Sequence, residues 1–531
     1  MQSKGAILPS NLLPLLTPIP LLSIAAISFS NNGPRPKYLP KMAEAAALLA
    51  LVAGIISTAG LIFFGPRVSP VVGIYGVGLS VRLDAVSAAM TILVTFIGWI
   101  VVRYAGTYLD GEERQGPFTG WLCLTLASVI LLVTANNLVH LALAWIATSL
   151  FLHQLLLFYP DRAAGQRAAR KKFVTARIGD IALIGAAALL ATAYGTADIG
   201  SILQSARAGA GGILAVVAAS LLALAAILKS AQFPTHGWLI EVMETPTPVS
   251  ALLHAGVINA GGFLLIRFAD VMLLAPSILA ILVMIGGFTA LFGSLVMLTQ
   301  PAVKTSLAWS TVAQMGFMIL QCGLALFPLA LLHIVAHSLY KAHAFLSSGG
   351  AVERIAAIRR PGPVAIPSAG AVGRAFMAAL IIYLLVGLGF GLTHKSPQAI
   401  ALGAILIFGV AYMLAQGFAD ATPKALTRRT VVYAVATSIG YFALQNAAAS
   451  LTAGILPATP TPGSLEWLLI ALAVISFGLI AIVQAMFPLW AHHPAAAGLR
   501  VHLSNGFYAN AAFDRIVGGW STRTASSLPE L

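Results

Sequence analysis

Apolar runs long enough to form membrane-spanning helices recur along nearly the whole chain, separated by short polar segments. A helix needs about 20 predominantly apolar residues to cross roughly 30 Å of hydrocarbon. The pattern predicts about 13–15 transmembrane helices, and the candidate runs are residues 11–30, 43–64, 84–106, 119–136, 138–158, 176–195, 211–231, 247–267, 272–298, 305–324, 327–348, 372–393, 397–418, 430–455 and 467–489. We therefore predict an all-α, polytopic transmembrane helix bundle.

The composition excludes a soluble protein. Apolar residues make up 59% of the 531 residues, charged residues 9%, and the mean hydropathy is +0.92. A soluble domain carries about 25% charged residues, so this chain cannot cover itself with a solvated surface. The formal net charge is +14, and we interpret it as basic loops of a membrane protein rather than as a nucleic-acid-binding surface.

Basic residues collect in alternate predicted loops, which indicates an orientation. They follow the first, third, fifth, ninth, eleventh and thirteenth helices: Arg35, Lys37, Lys41, Arg103, Arg114, Arg162, Arg167, Arg170, Lys171, Lys172, Lys304, Arg354, Arg359, Arg360, Lys424, Arg428 and Arg429. By the positive-inside rule this side is cytoplasmic. We therefore expect a bacterial inner-membrane protein with a periplasmic N-terminus and a cytoplasmic C-terminus, and a retained first helix instead of a signal peptide.

Ionisable side chains interrupt the apolar runs in the middle of the chain. Lys229 closes the run LLALAAILKS, and His254 lies in PTPVSALLHAG. His333, His337 and Lys341 follow i, i+4, i+8 spacing, which places all three on one helix face. Such groups are costly in a bilayer and usually functional. Imidazole titrates near neutral pH, and a desolvated lysine can join a chain of imidazoles, so we predict a proton relay.

Two further groups accompany these side chains. Arg177 and Asp180 stand at i, i+3 at the head of the sixth helix, where they can pair. The segment 229–248 contains three prolines, and broken helices in a bilayer usually border a cavity. It is either a plain connection or the mouth of the path. Three polar residues of this segment either gather cations at an entry or form a solvated loop face: His236, Glu241 and Glu244.

The alternative for all these groups is helix packing through interhelical hydrogen bonds. We favour the relay because three ionisable side chains share one face. A zinc site at His333 and His337 is less favoured, since no thiolate or matching carboxylate lies nearby in sequence. The chain has no Walker A, GxGxxG or CxxC motif, so we predict a transport subunit and not an enzyme, with no cofactor and no metal.

Several segments resemble the proton-conducting antiporter-type subunits of respiratory complex I and the Mrp cation/proton antiporters. They are KSAQFPTHGWL, METPTPVSALLHAGVINAGGFLLIR, KTSLAWSTVAQMGFM and HIVAHSLYKAHAFLSSG, with VRLDAVSAAM and VTARIGDIAL pointing to the chain 5 branch. The resemblance implies an antiporter-like bundle with broken helices. It also implies that Lys229 is the central titrating lysine, that His254, His333, His337 and Lys341 form the connecting relay, and that Arg177 and Asp180 are a modulating ion pair.

The same resemblance implies a division of the chain. Residues 1–70 would be N-terminal transmembrane helices, 71–350 the proton-conducting core, 351–490 C-terminal transmembrane helices and 491–531 a cytoplasmic tail. The chain departs from the family at two places. Trp145 is followed by Ile146 where the family has a glutamate paired to the central lysine. The span from Val372 to Phe390 offers no lysine or acid for a later family lysine.

The stretches AWIATSLFLHQLLLFYPDR, ARKKF and NGFYANAAFDRIVGGW resemble one branch of the family, the DabB-type membrane subunits of two-component inorganic carbon accumulation systems. This resemblance implies a subunit that conducts protons or sodium ions to drive bicarbonate uptake. It also implies a large zinc-bearing partner of the DabA type at the cytoplasmic face, which would carry the hydration chemistry. The alternatives are an antiporter module of a complex I- or Mrp-type assembly and a membrane scaffold.

Overall fold

The computed structural model describes residues 12–31, 33–350, 368–418, 424–491 and 493–517. Within these ranges, twelve helices are long and apolar enough to cross a membrane. The other three predicted spans also correspond to helical segments, Leu13–Phe29, Val303–Gly323 and Lys424–Thr452. The prediction of an all-α polytopic bundle is confirmed. The predicted basic residues Arg354, Arg359 and Arg360 lie outside the described residues.

In the described ranges the α-helices are α1 Leu13–Leu16, α2 Ile19–Phe29, α3 Leu39–Phe64, α4 Ala85–Tyr108, α5 Gln115–Thr134, α6 Leu138–Leu156, α7 Ala163–Tyr194, α8 Ile199–Arg207, α9 Gly212–Lys229, α10 Gly237–Glu241, α11 Thr247–Ala255, α12 Ala260–Arg267, α13 Ala269–Met272, α14 Pro276–Leu298, α15 Val303–Gly323, α16 Phe327–Leu346, α17 Ala369–Gly389, α18 Pro397–Gly417, α19 Lys424–Thr452, α20 Ser464–Ala485, α21 Phe487–Trp490, α22 Ala497–Ser504 and α23 Ala509–Val517. Two short antiparallel pairs join β1 Arg67–Val68 to β4 Arg82–Leu83 and β2 Val72–Ile74 to β3 Val77–Leu79.

The eighth predicted span is a broken helix. Helices α11 and α12 are separated by Gly256 and a 3₁₀ turn at Val257–Asn259. Every residue from Thr247 to Arg267 is buried except Gly256, which is half-buried. Non-helical backbone at membrane depth requires surrounding protein or water for its polar groups, and this span has protein around it. The predicted breaks were the prolines of segment 229–248, where α10 is a short helix between α9 and α11.

Helix α7 begins at Ala163, earlier than the predicted start at residue 176. It has 32 residues, which corresponds to about 48 Å at 1.5 Å per residue. This length exceeds the hydrocarbon thickness, so its first turns extend a basic loop into regular helix. Lys171 and Lys172, which the sequence placed in that loop, are therefore helical and lie against other helices.

The chain forms two compact units, residues 1–267 with 335–346 and 508–531, and residues 268–334 with 347–507. In the first unit, segments 33–38, 108–114 and 157–162 meet at what we call the basic end. There Arg35 pairs with Asp110 at 3.2 Å, and Arg114 donates to the Phe158 carbonyl at 2.9 Å. Segments 65–84, 135–137 and 195–211 meet at the opposite end, where Asn136 donates to Asp198 at 2.5 Å.

The second unit is built around closely packed helix pairs. A Cβ on Gly286 of α14 would lie 2.5 Å from the Leu320 nitrogen of α15. Glycine is therefore required for this backbone approach, as is common between transmembrane helices. A buried apolar cluster in this unit is built on α17, α18 and α19 and includes Tyr383, Leu414 and Phe442.

Candidate conduction site

Lys229 is the last residue of α9 and is 8% exposed. Its Nζ lies 4.4 Å from the ring centroid of Trp145 on α6. A lysine at this distance from an indole face is stabilised by a cation–π interaction. Among the described residues Nζ has no hydrogen-bond acceptor. The lysine that the sequence singled out is therefore buried, with its charge offset by an aromatic face and by more distant charges.

The carboxylate that acts on Lys229 comes from α7, where Asp180 interacts electrostatically with it. Arg177 pairs with Asp180 at 2.7 Å, as their i, i+3 spacing predicted. Ile146, which occupies the position of the family glutamate, supplies no charge. The acid that acts on Lys229 therefore lies on α7 and not on α6.

A second lysine lies in the same region. Lys172 is 5% exposed, and its Nζ donates to the carbonyl oxygen of Ser149 at 2.5 Å and to the Ser149 hydroxyl at 3.1 Å. It interacts electrostatically with Lys229 and with His153. Sequence reasoning missed Lys172, because a lysine pair before an apolar run is typical of a cytoplasmic loop. Its helical position, three residues before Thr175 and eight before Asp180, was the available signal.

Both lysines line one small, mostly apolar cavity. Its volume is about 20 Å³, and its lining includes Lys172, Lys229, Trp238 and Val257. The cavity wall therefore includes two lysines and the 3₁₀ turn that breaks the eighth span.

His254 and Lys341 come together in the first unit. His254 of α11 is fully buried and stacks on Phe345 with ring centroids 4.4 Å apart. It also interacts electrostatically with Lys341, which is itself fully buried. The same part of α16 is fixed by Asn259, whose side chain donates to Ser338 at 2.9 Å. The C-terminal half of α16 therefore packs against the broken helix.

The two remaining histidines of the predicted relay follow α16 towards its N-terminus. His337 is buried and belongs to the same unit as Lys341. His333 is half-buried and belongs to the second unit, where its ring lies 5.7 Å from that of Phe317. Helix α16 is continuous from Phe327 to Leu346, so the i, i+4, i+8 spacing holds on one helix.

The segment between α9 and α11 carries the predicted entry residues. Lys171, 2% exposed, forms ion pairs with Glu241 and with Asp514 of α23, and Asn510 donates to Glu241 at 2.7 Å. His236 is fully buried, and burial lowers its pKa to about 4. The side chain of Glu244 lies outside the described part of the structure. The carboxylate of Glu241 is thus held in a salt-bridge cluster.

A second salt-bridge cluster lies at the opposite end of the first unit, and the sequence did not reveal it. Arg267 of α12 donates to Asp84 at 2.6 and 3.2 Å, and Arg82 donates to Asp84 at 2.7 Å. Burial alone would raise the pKa of Asp84, but the two arginines and the Ser87 amide hold it well below its ordinary value. Asp84 also caps α4. The cluster therefore ties the broken helix to the start of α4.

No group of three or more metal-ligating side chains occurs among the residues that the structure describes. The lysines and histidines of the first unit, together with the carboxylate of Asp180, can hold or pass a proton.

Two family models match this chain. The model for the transmembrane region of NADH:quinone oxidoreductase and Mrp antiporters matches residues 135–360, and the model for the N-terminus of complex I chain 5 matches residues 71–119. The Mrp complex from Dietzia sp. DQ12-45-1b contains a similar chain, with a TM-score of 0.61, 25% identity, and coverage of 97% of this chain and 61% of that one. The fold and the buried lysines thus define an antiporter-like membrane subunit.

Similarity to curated relatives identifies the family within this class of membrane subunits. The probable inorganic carbon transporter subunit DabB2 of Halothiobacillus neapolitanus is 36% identical over 479 residues, which cover 88% of this chain and 85% of the relative. The DabB subunit of Hydrogenovibrio crunogenus is 43% identical over 278 residues, 52% of this chain and 54% of that one. NADH-quinone oxidoreductase subunit L of Escherichia coli is 28% identical over 284 residues, 53% of this chain and 46% of that one. The chain belongs to the DabB family of inorganic carbon transporter subunits.

Proposed function

We propose that this chain is the proton-conducting membrane subunit of an energy-coupled inorganic carbon uptake complex. The observation that carries the proposal is Lys229, a buried lysine that faces Trp145 and is balanced by Asp180. A buried ammonium whose charge is offset by only one shared carboxylate can release its proton with little electrostatic cost. Lys229 is therefore the central titrating group of the path.

The remaining predicted residues take the roles that their positions support. Arg177 holds Asp180 and sets the charge that Lys229 experiences. His254 and Lys341 form the next proton-binding site of the path, because they interact inside the same unit. His337 and then His333 continue along the face of α16. Neutral imidazole both donates and accepts a proton, which suits these positions to a relay.

The orientation follows from the distribution of charge. The basic end of the first unit gathers Arg35, Arg114 and Arg162, and the positive-inside rule assigns such an end to the cytoplasm. This distribution supports an orientation in a bacterial inner membrane with the N-terminus in the periplasm. A large zinc-containing subunit of the DabA type would dock at this cytoplasmic face and hydrate CO2, while this chain supplies the proton gradient coupling.

Radiolabelled bicarbonate uptake in a carbonic-anhydrase-deficient bacterial host tests the proposal. The chain is expressed with and without the large subunit, as wild type and as Lys229→Ala. We expect uptake only when both subunits are present, its collapse with a protonophore, and its loss in the variant. Lys41→Ala, which alters an exposed lysine, is the matched control and should retain full uptake.

Full uptake by Lys229→Ala, at equal amounts of assembled complex, would contradict the proposal. Uptake that survives the protonophore but stops without sodium would replace the proton by sodium as the conducted ion. The removal of a buried cation is often neutral for stability, so we expect Lys229→Ala to assemble normally.

A second candidate function is favoured by the likeness to the Mrp complex from Dietzia. In that case the chain would be an antiporter module that exchanges cations for protons. Cation/proton exchange by this chain in vesicles, together with no bicarbonate uptake, would support the second candidate. Ile146 in place of the family glutamate argues against it, because the module would lack its usual acid on α6.

A further inference from the structure

We propose that Lys172 and Lys229 form a proton-sharing pair, in which one buried proton is held between two lysine amines. The pair takes the place of the lysine–glutamate pair that Ile146 removes from this chain. The inference rests on the proposed function, since it assigns a residue to the same proton path. The sequence analysis assigned Lys172 to a basic loop and not to the path.

The charge balance around the pair requires sharing. The charged or titratable groups that act on Lys172 are Lys229, Arg177, Asp180 and His153. Asp180 is already paired to Arg177 at 2.7 Å, and arginine stays protonated in proteins. The carboxylate and the guanidinium cancel, so that among the described residues the two buried amines have no anion of their own. Two like charges in a buried site disfavour each other strongly, so only one amine is protonated at a time.

The geometry places the two lysine side chains close together. Both line the same mostly apolar cavity of about 20 Å³. Ser149 fixes the Lys172 amine by accepting hydrogen bonds at its carbonyl and hydroxyl oxygens. The hydroxyl can also donate to a neutral amine. Lys172 is thus held in place in both of its protonation states.

The proton balance of the step is simple. Neutral Lys172 accepts a proton from the cytoplasmic side and becomes an ammonium. Its new charge repels the Lys229 ammonium, which releases one proton to water and becomes a neutral amine. The pair carries one excess proton before and after the step, so each proton that enters is matched by one that leaves.

The role is tested by two substitutions that change the charge of residue 172 in opposite ways. Lys172→Met removes the charge, so Lys229 keeps its proton to higher pH. Lys172→Arg fixes the charge, so Lys229 loses its proton at lower pH. Neither variant can accept a proton at residue 172, so we expect proton flux through the assembled complex in vesicles to fall in both. The pH of half-maximal residual flux should rise by about one unit in the first variant and fall by about one unit in the second.

A purely structural role predicts a different result. If Lys172 only anchored α7 to α6 through Ser149, both variants would lose flux without opposite shifts of the pH profile, and that result would overturn the inference. Lys172→Gln is a second neutral variant that retains an amide donor for Ser149, and it should shift the profile in the same direction as Lys172→Met. If the methionine variant fails to assemble, the pH profile of Lys172→Gln tests the inference in its place.

Lys229→Ala in the same vesicles separates the two hypotheses. If Lys229→Ala conducts normally, the proposed function itself fails. If Lys229→Ala abolishes flux while the profiles of all Lys172 variants match the wild type, only the proton-sharing pair is refuted.

Discussion

The buried cations of the two salt-bridge clusters differ from those at the cavity between α7 and α9. In the clusters, Arg267 bonds directly to Asp84, and Lys171 pairs with Glu241 and Asp514. At the cavity, Lys172 and Lys229 have only Asp180 among the described residues, and Arg177 already binds it. The contrast is sharpest between Lys171 and Lys172, which are neighbours in sequence and almost equally buried. A buried cation with its own carboxylate stays charged and holds helices together, whereas one without can exchange its proton.

The largest expected effect concerns the opposite end. Arg267→Met leaves Asp84 buried with only the partly exposed Arg82 as counter-charge. Breaking a buried ion pair by removing one partner costs about 3–5 kcal/mol, so we expect a loss of that size in the free energy of unfolding. Denaturant titration in mixed micelles measures it. An unchanged unfolding midpoint would break the comparison, since the end cluster would then not be structural.

The next largest effect on the free energy of unfolding is expected for Lys171 and its two carboxylates. Lys171→Met leaves Glu241 and Asp514 without their shared cation, but both carboxylates are partly exposed. We therefore expect a smaller loss, about 2 kcal/mol, than for a fully buried pair. The same titration measures this loss. The double variant Lys171→Met with Asp514→Ala should recover part of it, and a double variant that is less stable than the single one would contradict the assignment.

A third effect is the pH dependence of stability that His236 causes. The folded-state pKa of His236 is about 4, below the ordinary value of 6.5, because of its burial. The unfolded chain binds a proton that the folded chain excludes, so this contribution to stability is complete above pH 6.5 and is lost as the pH falls towards 4. Between pH 7 and pH 5 the wild type should lose about 1–2 kcal/mol more than His236→Gln. Equal losses in unfolding titrations at the two pH values would remove His236 from the account.

The smallest expected change in the free energy of unfolding is that of a substitution at Lys172. Lys172→Met replaces a buried amine with an apolar chain of similar length, and such replacements are often neutral or stabilising. We expect the free energy of unfolding to stay within about 0.5 kcal/mol of wild type. Compared with Lys171→Met, this is the same chemical change one residue away. A loss as large as that of Lys171→Met would erase the difference between the two regions.

The sequence predicted the parts of this molecule that depend on local pattern. Apolar periodicity and length predicted the helical spans, and the cost of charge in a bilayer drew attention to Lys229, His254 and Lys341. The pairing of Arg177 with Asp180 followed from helical spacing. These features are all set within one helix, where residue spacing determines geometry.

The remaining features depend on which helices pack together. Nothing in the run ARKKF indicates that Lys171 contacts α10 and α23 while Lys172 turns towards α6 and α9. The clamp between Asp84 and Arg267 joins residues 183 positions apart. The break at Gly256 carries no proline, so the composition of the eighth span did not reveal it. Such contacts arise from the tertiary arrangement of helices that look alike in sequence.

Proton flux per assembled complex, measured in vesicles for Lys229→Ala and Arg267→Met, tests the central claim most directly. We predict that Lys229→Ala assembles like the wild type and conducts no protons. Arg267→Met should assemble in smaller amounts and conduct normally once it has assembled. Normal flux in Lys229→Ala, or loss of flux in well-assembled Arg267→Met, would contradict the claim that the lysines at the cavity conduct and the salt-bridge clusters only support the fold.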